Sequence, residues 1–197
     1  MTDPRDFERC IVAGGVVLFP SDTVYGLACD PSSAEAVRRL YELKRRDLGK
    51  PSAVMFFSVA AATPYLGFLG PRTRTVFERL LPGGVTLLVP NPDRRFALAA
   101  GEDGAAVGIR VPDVPALSAV GCPVIQSSAN LAGGPDPRLL DDVPDSIREG
   151  ADLVIDGGEL PGTASTVVDL RRYELDGSWE LVRLGAVGEE ELAAALG

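Results

Sequence analysis

Two patterns of apolar residues divide the chain. In the first, short runs show no polar alternation: Val16 to Phe19, SAVMFF from Ser52, VTLLV from Val85, AAVGIRV from Ala105, PVIQSSAN from Pro123, LVIDGG from Leu153 and STVVDL from Ser165. Such runs predict strands covered on both faces. In the second, apolar residues recur every three or four positions, as Ala36, Val37, Leu40 and Leu43 do, which predicts a helix with one buried stripe. Asp3-Pro4 supplies an N-cap followed by proline for a helix running toward Ala13 and stopped by Gly14-Gly15. Ser33 opens the helix of the second pattern, Arg72 to Leu81 is a third ended by Pro82-Gly83-Gly84, and EEELAAAL is a last one. RRYEL and SWELVRL, on either side of Asp176-Gly177, predict a hairpin. Strands and helices in alternation give an α/β fold. No repeat, linker or shift of composition divides the chain, so residues 1–197 are expected to form a single domain.

Polar residues gather where the strands end. FPSDTVYG follows the first strand, QSSAN closes PVIQSSAN, ASTVVD opens another strand, and Arg110 sits inside a run that should carry no charge. In open α/β sheets ligands bind beyond the carboxyl ends of strands, which makes these clusters a candidate site. Each also has a plainer reading. FPSDTVYG is rich in turn residues, Ser128 and Asn130 can cap a following turn, Arg110 can pair with a neighbouring aspartate, and Ser165-Thr166 can bond backbone. Hydroxyl, amide and guanidinium groups recurring without a catalytic base suit the binding of a phosphate and a polar zwitterion.

Charge sharpens this picture. The formal net charge is −9, yet Arg38, Arg39, Lys44, Arg45, Arg46 and Lys50 fall close together. They form either an anion site or the solvated face of one helix. Neither GxxxxGK[ST] nor a strand-associated GxGxxG occurs, so phosphates would rest on Lys and Arg, with Arg183 added near the C-terminus. The chain has no histidine, which excludes histidine metal sites and Ser-His-Asp triads. Cys10, Cys29 and Cys122 are too scattered for a zinc or disulfide framework. With 46% hydrophobic and 24% charged residues, 22 Gly, 16 Pro and no apolar run of transmembrane length, the composition is globular and the expected location cytoplasmic.

The motifs PSDTVYGL, LKRRDLGKP, LPGGVTLLV, VGIRVP, SSANLAGG, STVVD and VRLGAV stand in the order found in the YrdC-like threonylcarbamoyl-AMP synthases, a family the chain resembles over roughly residues 10 to 187. The resemblance implies an open, twisted mixed sheet with flanking helices and a large concave cavity. It also implies an enzyme making threonylcarbamoyl-adenylate and pyrophosphate from L-threonine, bicarbonate and ATP, with ATP as substrate accompanied by magnesium and no protein-bound metal site. The product serves threonylcarbamoyladenosine formation on tRNA, reached indirectly through partner modification proteins, with no membrane involved.

Carried onto this sequence, the resemblance assigns Thr23, Tyr25, Met55, Arg110, Ser128 and Ser165 to threonine and bicarbonate. Arg46, Lys50, Asn130, Arg138 and Arg183 fall to ATP, and Lys44, Arg46 and Ser128 to catalysis. Three positions depart from the pattern: Ser21 replaces a threonine, Asp47 a common proline, and Met55 a histidine that touches threonine in some relatives. They leave open a paralogue with another acceptor. An RNA-binding module using Arg38, Arg39 and Arg45 is the reading from a different class, opposed by the net charge. The resemblance further suggests the short, single-domain form of the family.

Overall fold

The computed structural model describes residues 3–197. Helix α1 (Pro4–Val12) begins as its sequence requires: the Asp3 side chain accepts from the Arg5 amide at 2.9 Å, and Pro4 fills the first turn. Strands β1 (Val17–Pro20) and β2 (Tyr25–Cys29) form an antiparallel pair in which Phe19 faces Gly26. Helix α2 (Ala34–Leu43) follows, with Ser33 accepting from the Ala36 amide at 3.2 Å. The chain continues through β3 (Ala53–Met55), α3 (Val59–Ala62), α4 (Pro71–Leu80), β4 (Val85–Pro90), β5 (Ala106–Arg110) and β6 (Val124–Ser128). It ends with α5 (Asp145–Gly150), β7 (Leu153–Val154), β8 (Thr166–Asp169), α6 (Tyr173–Asp176), β9 (Glu180–Arg183) and α7 (Glu189–Leu196).

The strands join one sheet in the order β7-β1-β2-β6-β3-β5-β4-β8-β9. It is mixed: β1/β7, β3/β5 and β4/β8 run parallel and the other neighbours antiparallel. Successive side chains alternate between its faces. One face carries Leu18, Leu27, Val54, Leu87, Ile109, Ile125 and Val168, all buried with residues of α2, α4 and α7. The other carries Val17, Phe19, Ala28, Met55 and Val124, which pack with Phe7 and Ile11 of α1. Phe7 meets Phe19 and Phe57 edge to face, with centroids 5.4 and 5.0 Å away. Farther along this second face, over β3, β4, β5, β6, β8 and β9, the cover ends and the sheet opens into a cavity.

The short helices α3 and α5 are not expected from the sequence, and two further elements differ from its expectation. RRYEL does not form a hairpin arm: Tyr173–Asp176 is the short helix α6, and Gly177, with φ at 77°, is its left-handed cap. Strand β9 pairs with β8 instead, Val168 opposite Leu181. The turn signal in Asp176-Gly177 is real but ends a helix. The second difference is β2, which begins within the stretch expected to be a polar turn. Ser21 Oγ accepts from the amides of Thr23 and Val24 and donates to the Val24 carbonyl at 2.7 Å, so the turn closes within four residues and the chain returns as a strand.

Candidate active site

The site begins where α2 stops. Lys44 caps the helix, and Arg45 adopts φ of 51°, a left-handed conformation costing a non-glycine residue about 1 kcal/mol. The Arg45 amide donates to the Glu42 carbonyl at 3.0 Å and the Arg46 amide to that of Tyr41 at 2.9 Å, the two bonds of a Schellman motif. This reversal sends Lys44 inward and Arg46 along the sheet face.

Lys44 is only 1% exposed. Its ammonium donates to the carbonyls of Ser128 and Asn130 and to Asn130 Oδ1, the last two at 2.9 Å. Ser128 Oγ donates to the same Oδ1 at 2.7 Å, and Asn130 Nδ2 to the Gly134 carbonyl at 2.7 Å. Lys44 therefore ties down the loop after β6. Burial, and then the charge of Arg46, push its pKa down from 10.5 to about 8, with Asp136 opposing.

The cavity has a volume of about 570 Å3, within the usual range for a small-molecule site. Three guanidinium groups reach it, those of Arg46, Arg110 and Arg183, against one carboxylate, Asp136. Arg46 stacks near the Tyr41 ring at 5.8 Å, donates to the Pro51 carbonyl at 2.8 Å, and keeps a buried Nε without an acceptor among the described residues. Arg110, 3% exposed, donates through Nη2 to Asp22 and to Thr23 Oγ1, the latter at 2.6 Å. Its Nε is likewise buried without an acceptor. Buried guanidinium nitrogens without acceptors are costly, and both belong to arginines that line the cavity. Ser165 Oγ lies 2.9 Å from Thr86 Oγ1, and Arg183 donates to the Ser165 carbonyl at 2.8 Å. A larger hollow of about 790 Å3 lies by β8 and β9, but its Arg171 and Arg172 are spent on Asp169 and Asp176.

The cavity lies over the sheet face rather than beyond the strand ends. Thr86, Leu88, Gly108, Arg110, Gln126 and Ser128 line it as alternate residues of three strands. In this mixed sheet the antiparallel neighbours end on opposite sides, so there is no carboxyl edge common to all the strands.

Of the residues expected at the site, the structure gathers Arg46, Arg110, Ser128, Ser165 and Arg183 along the cavity. Thr23 stands behind Arg110 as its acceptor, and Asn130 and Lys44 stand behind Ser128. Met55 is buried in the cluster beneath α1. Tyr25 packs on the opposite, covered face, its hydroxyl donating to Asp156 at 2.9 Å and to the Gly158 carbonyl at 2.8 Å. Lys50 is exposed, and Arg138 pairs with Glu159 at 2.8 Å. Neither lines the cavity. Thr86, Gln126 and Asp136 line it without having been expected there. The first two carry the signal that exposed Arg110, a polar residue inside an apolar strand. On α2, Arg38 pairs with Glu42 and Arg39 with Asp152, both at 2.6 Å, so two of the three arginines of the nucleic-acid reading are engaged within the protein.

Such a cavity, floored by a mixed sheet and ringed by arginines with hydroxyls between them, defines a binding protein for small polyanionic substrates. The comparisons narrow that class. Residues 9–185 match the Sua5/YciO/YrdC family profile, described as "Telomere recombination". The chain is 38% identical to the threonylcarbamoyl-AMP synthase of Xanthomonas axonopodis pv. citri over 80% of its own length and 88% of that relative. It is 32% identical to the Bacillus subtilis threonylcarbamoyl-AMP synthase over 92% of its length, but spans only 53% of that protein. The solved structure of P. abyssi Sua5 complexed with L-threonine superposes with a TM-score of 0.84 at 28% identity, covering 98% of this chain and 57% of that one. The chain belongs to the Sua5/YciO/YrdC family. No helix among the described residues is long and apolar enough to cross a membrane.

Proposed function

We propose that the protein is a threonylcarbamoyl-AMP synthase, a nucleotidyltransferase that uses ATP and L-threonine, with bicarbonate as the third substrate. The observation that carries the reading is the convergence of Arg46 and Arg110 on one cavity, each with a buried Nε that has no acceptor among the described residues. They supply two anion sites, one for phosphates and one for an amino-acid carboxylate. Arg46 and Ser128 would hold the triphosphate, with Arg183 neutralising it from the facing strand. Arg110, fixed by Asp22 and Thr23, would take the threonine carboxylate, and Ser165 a polar group of the same substrate.

The chemistry asks little of side-chain acids or bases. The threonine amine and bicarbonate give a carbamate and water. A carbamate oxygen then attacks the α-phosphorus, and the Pα–O bond to the β-phosphate breaks with its electron pair leaving on pyrophosphate. Holding three anions together and neutralising their charge lowers the barrier. Magnesium would arrive coordinated by ATP and water. Asp136, which lines the cavity, would be the carboxylate available to its outer shell. The adenylate would pass to tRNA through separate modification proteins, from one YrdC-like domain.

The test is ATP-dependent pyrophosphate release in bicarbonate buffer, comparing L-threonine with serine, other amino acids and none. Release selective for threonine is the expected result. Tight ATP binding without threonine-dependent release would overturn the reading in favour of a paralogue with another acceptor.

A further inference from the structure

Gln126 lies on the cavity floor and no role has been assigned to it. It belongs to β6, 6% exposed, inside a strand whose neighbouring positions are apolar or small. Its partners across the sheet are Ala28 on β2 and Ala53 on β3, and Ala53 is paired in turn with Gly108. The carboxamide is therefore flanked across the sheet by side chains too short to crowd it. The carboxamide makes no hydrogen bond to any described residue, and its two polar atoms are not fully buried, so they are open to the cavity that Gln126 lines. One further feature sets its position. A Cβ placed on Gly26 would come within 2.6 Å of Gln126 Nε2, so the amide occupies room that exists only because residue 26 has no side chain. Gly26 is the direct partner of Ser128.

This places a free donor and a free acceptor between two ends of the cavity. Ser128, two residues along the same face, and Arg46 mark the phosphate end. Arg110, two residues beyond the Gly108 of the same row, marks the carboxylate end. When one substrate carries its carboxylate at Arg110 and another its α-phosphate near Ser128, the group between them is the carbamate joining the two. A carbamate is planar and offers a carbonyl acceptor next to an N–H donor. A primary carboxamide offers the complementary edge, and the two can pair through two parallel hydrogen bonds.

We propose that Gln126 is a catalytic residue that grips the carbamate edge-on, Nε2 donating to its carbonyl oxygen and Oε1 accepting from its N–H. The inference rests on the synthase reading above. Gln126 neither gains nor loses a proton. It turns the remaining carbamate oxygen toward the α-phosphorus and holds an intermediate that would otherwise revert by losing carbon dioxide. Gly26 is a positioning residue, because its lack of a Cβ admits the amide.

The experiment compares the full-length protein with Gln126→Leu and Gly26→Ala. It measures threonine- and bicarbonate-dependent pyrophosphate release, and separately the binding of ATP and of threonine by calorimetry. Gln126→Leu should lower kcat by about 100-fold, the loss typical of removing one preorganised donor. Both dissociation constants should stay within about threefold, because neither free substrate contains the carbamate. Gly26→Ala, which keeps the carboxamide but displaces it, should lose at least about 10-fold in kcat with binding likewise retained. Turnover by Gln126→Leu at the wild-type rate would overturn the proposal. So would loss of ATP or threonine binding, which would make the amide a contact to an unreacted substrate. A wild-type protein without threonine-dependent release would sink the synthase reading and this inference with it, a failure visible before any variant is made.

Discussion

On the face of the sheet that meets α2, α4 and α7, positions such as Leu27, Val54, Leu87 and Ile109 are fully buried and apolar. On the opposite face the residues next to them in sequence include Arg110, Thr86 and Gln126. The same strands serve both. The covered face is close-packed, and its cost of change is a cavity. The open face buries polar groups that the protein itself leaves partly unsatisfied, and its cost of change falls on binding. Stability and function are thus separated by the alternation of side chains along each strand, and substitutions on adjacent residues should report different properties.

The strongest break in that separation is Arg110, where the two faces' rules meet. Arg110→Met should abolish threonine-dependent pyrophosphate release by about 1000-fold. It should also destabilise the fold by about 3 kcal/mol, because Asp22 is left almost buried without its partner. Kinetics and chemical denaturation of one preparation would measure both. Leu87→Ala, one residue from Thr86 but on the covered face, should cost about 2–5 kcal/mol in stability while the folded fraction keeps near-normal kcat. A large kcat loss in fully folded Leu87→Ala would refute the separation.

Lys44 offers a test through pH. Its pKa is about 8 in the folded chain and 10.5 ordinarily, so between those values the unfolded chain binds more protons. Wild-type stability should therefore rise with pH from about 8 toward 10.5, the burial cost being fully present below 8. Lys44→Met should lack that rise. From pH 8 to 9.5 wild type should gain up to about 2 kcal/mol on the variant, read from denaturation midpoints. Parallel pH profiles would mean the ammonium is not held as described. Smallest is Tyr25→Phe, which removes hydroxyl bonds to Asp156 and Gly158. It should cost about 1 kcal/mol and leave the KM for threonine unchanged. A rise in that KM would put Tyr25 in the cavity after all.

Much was legible in the sequence because it depends on local chemistry. The unalternated runs mark strands, Asp3-Pro4 and Ser33 mark helix starts, and Arg110 stands out as a charge within an apolar run. The motif order pointed to the family that the comparisons then showed. Motif membership did not decide which of those residues share a cavity. Tyr25 and Gly26 are neighbours in one motif, yet one supports the covered face and the other makes room on the open one. Met55 shares its sheet face with the cavity residues but falls under α1, where Phe7 and Ile11 exclude a ligand.

The sequence by itself determined most of the elements, the caps and the stock of cations and hydroxyls, since each follows from residues within a turn or two of one another. Only the tertiary structure decided which face each side chain occupies and which cations stay free. Lys44 and Arg46 lie two residues apart, but a left-handed Arg45 buries one among the carbonyls of a distant loop and leaves the other on the cavity. Facing is set by pairing between strands far apart in sequence, where a shift of one residue exchanges the two faces. No local propensity carries that information.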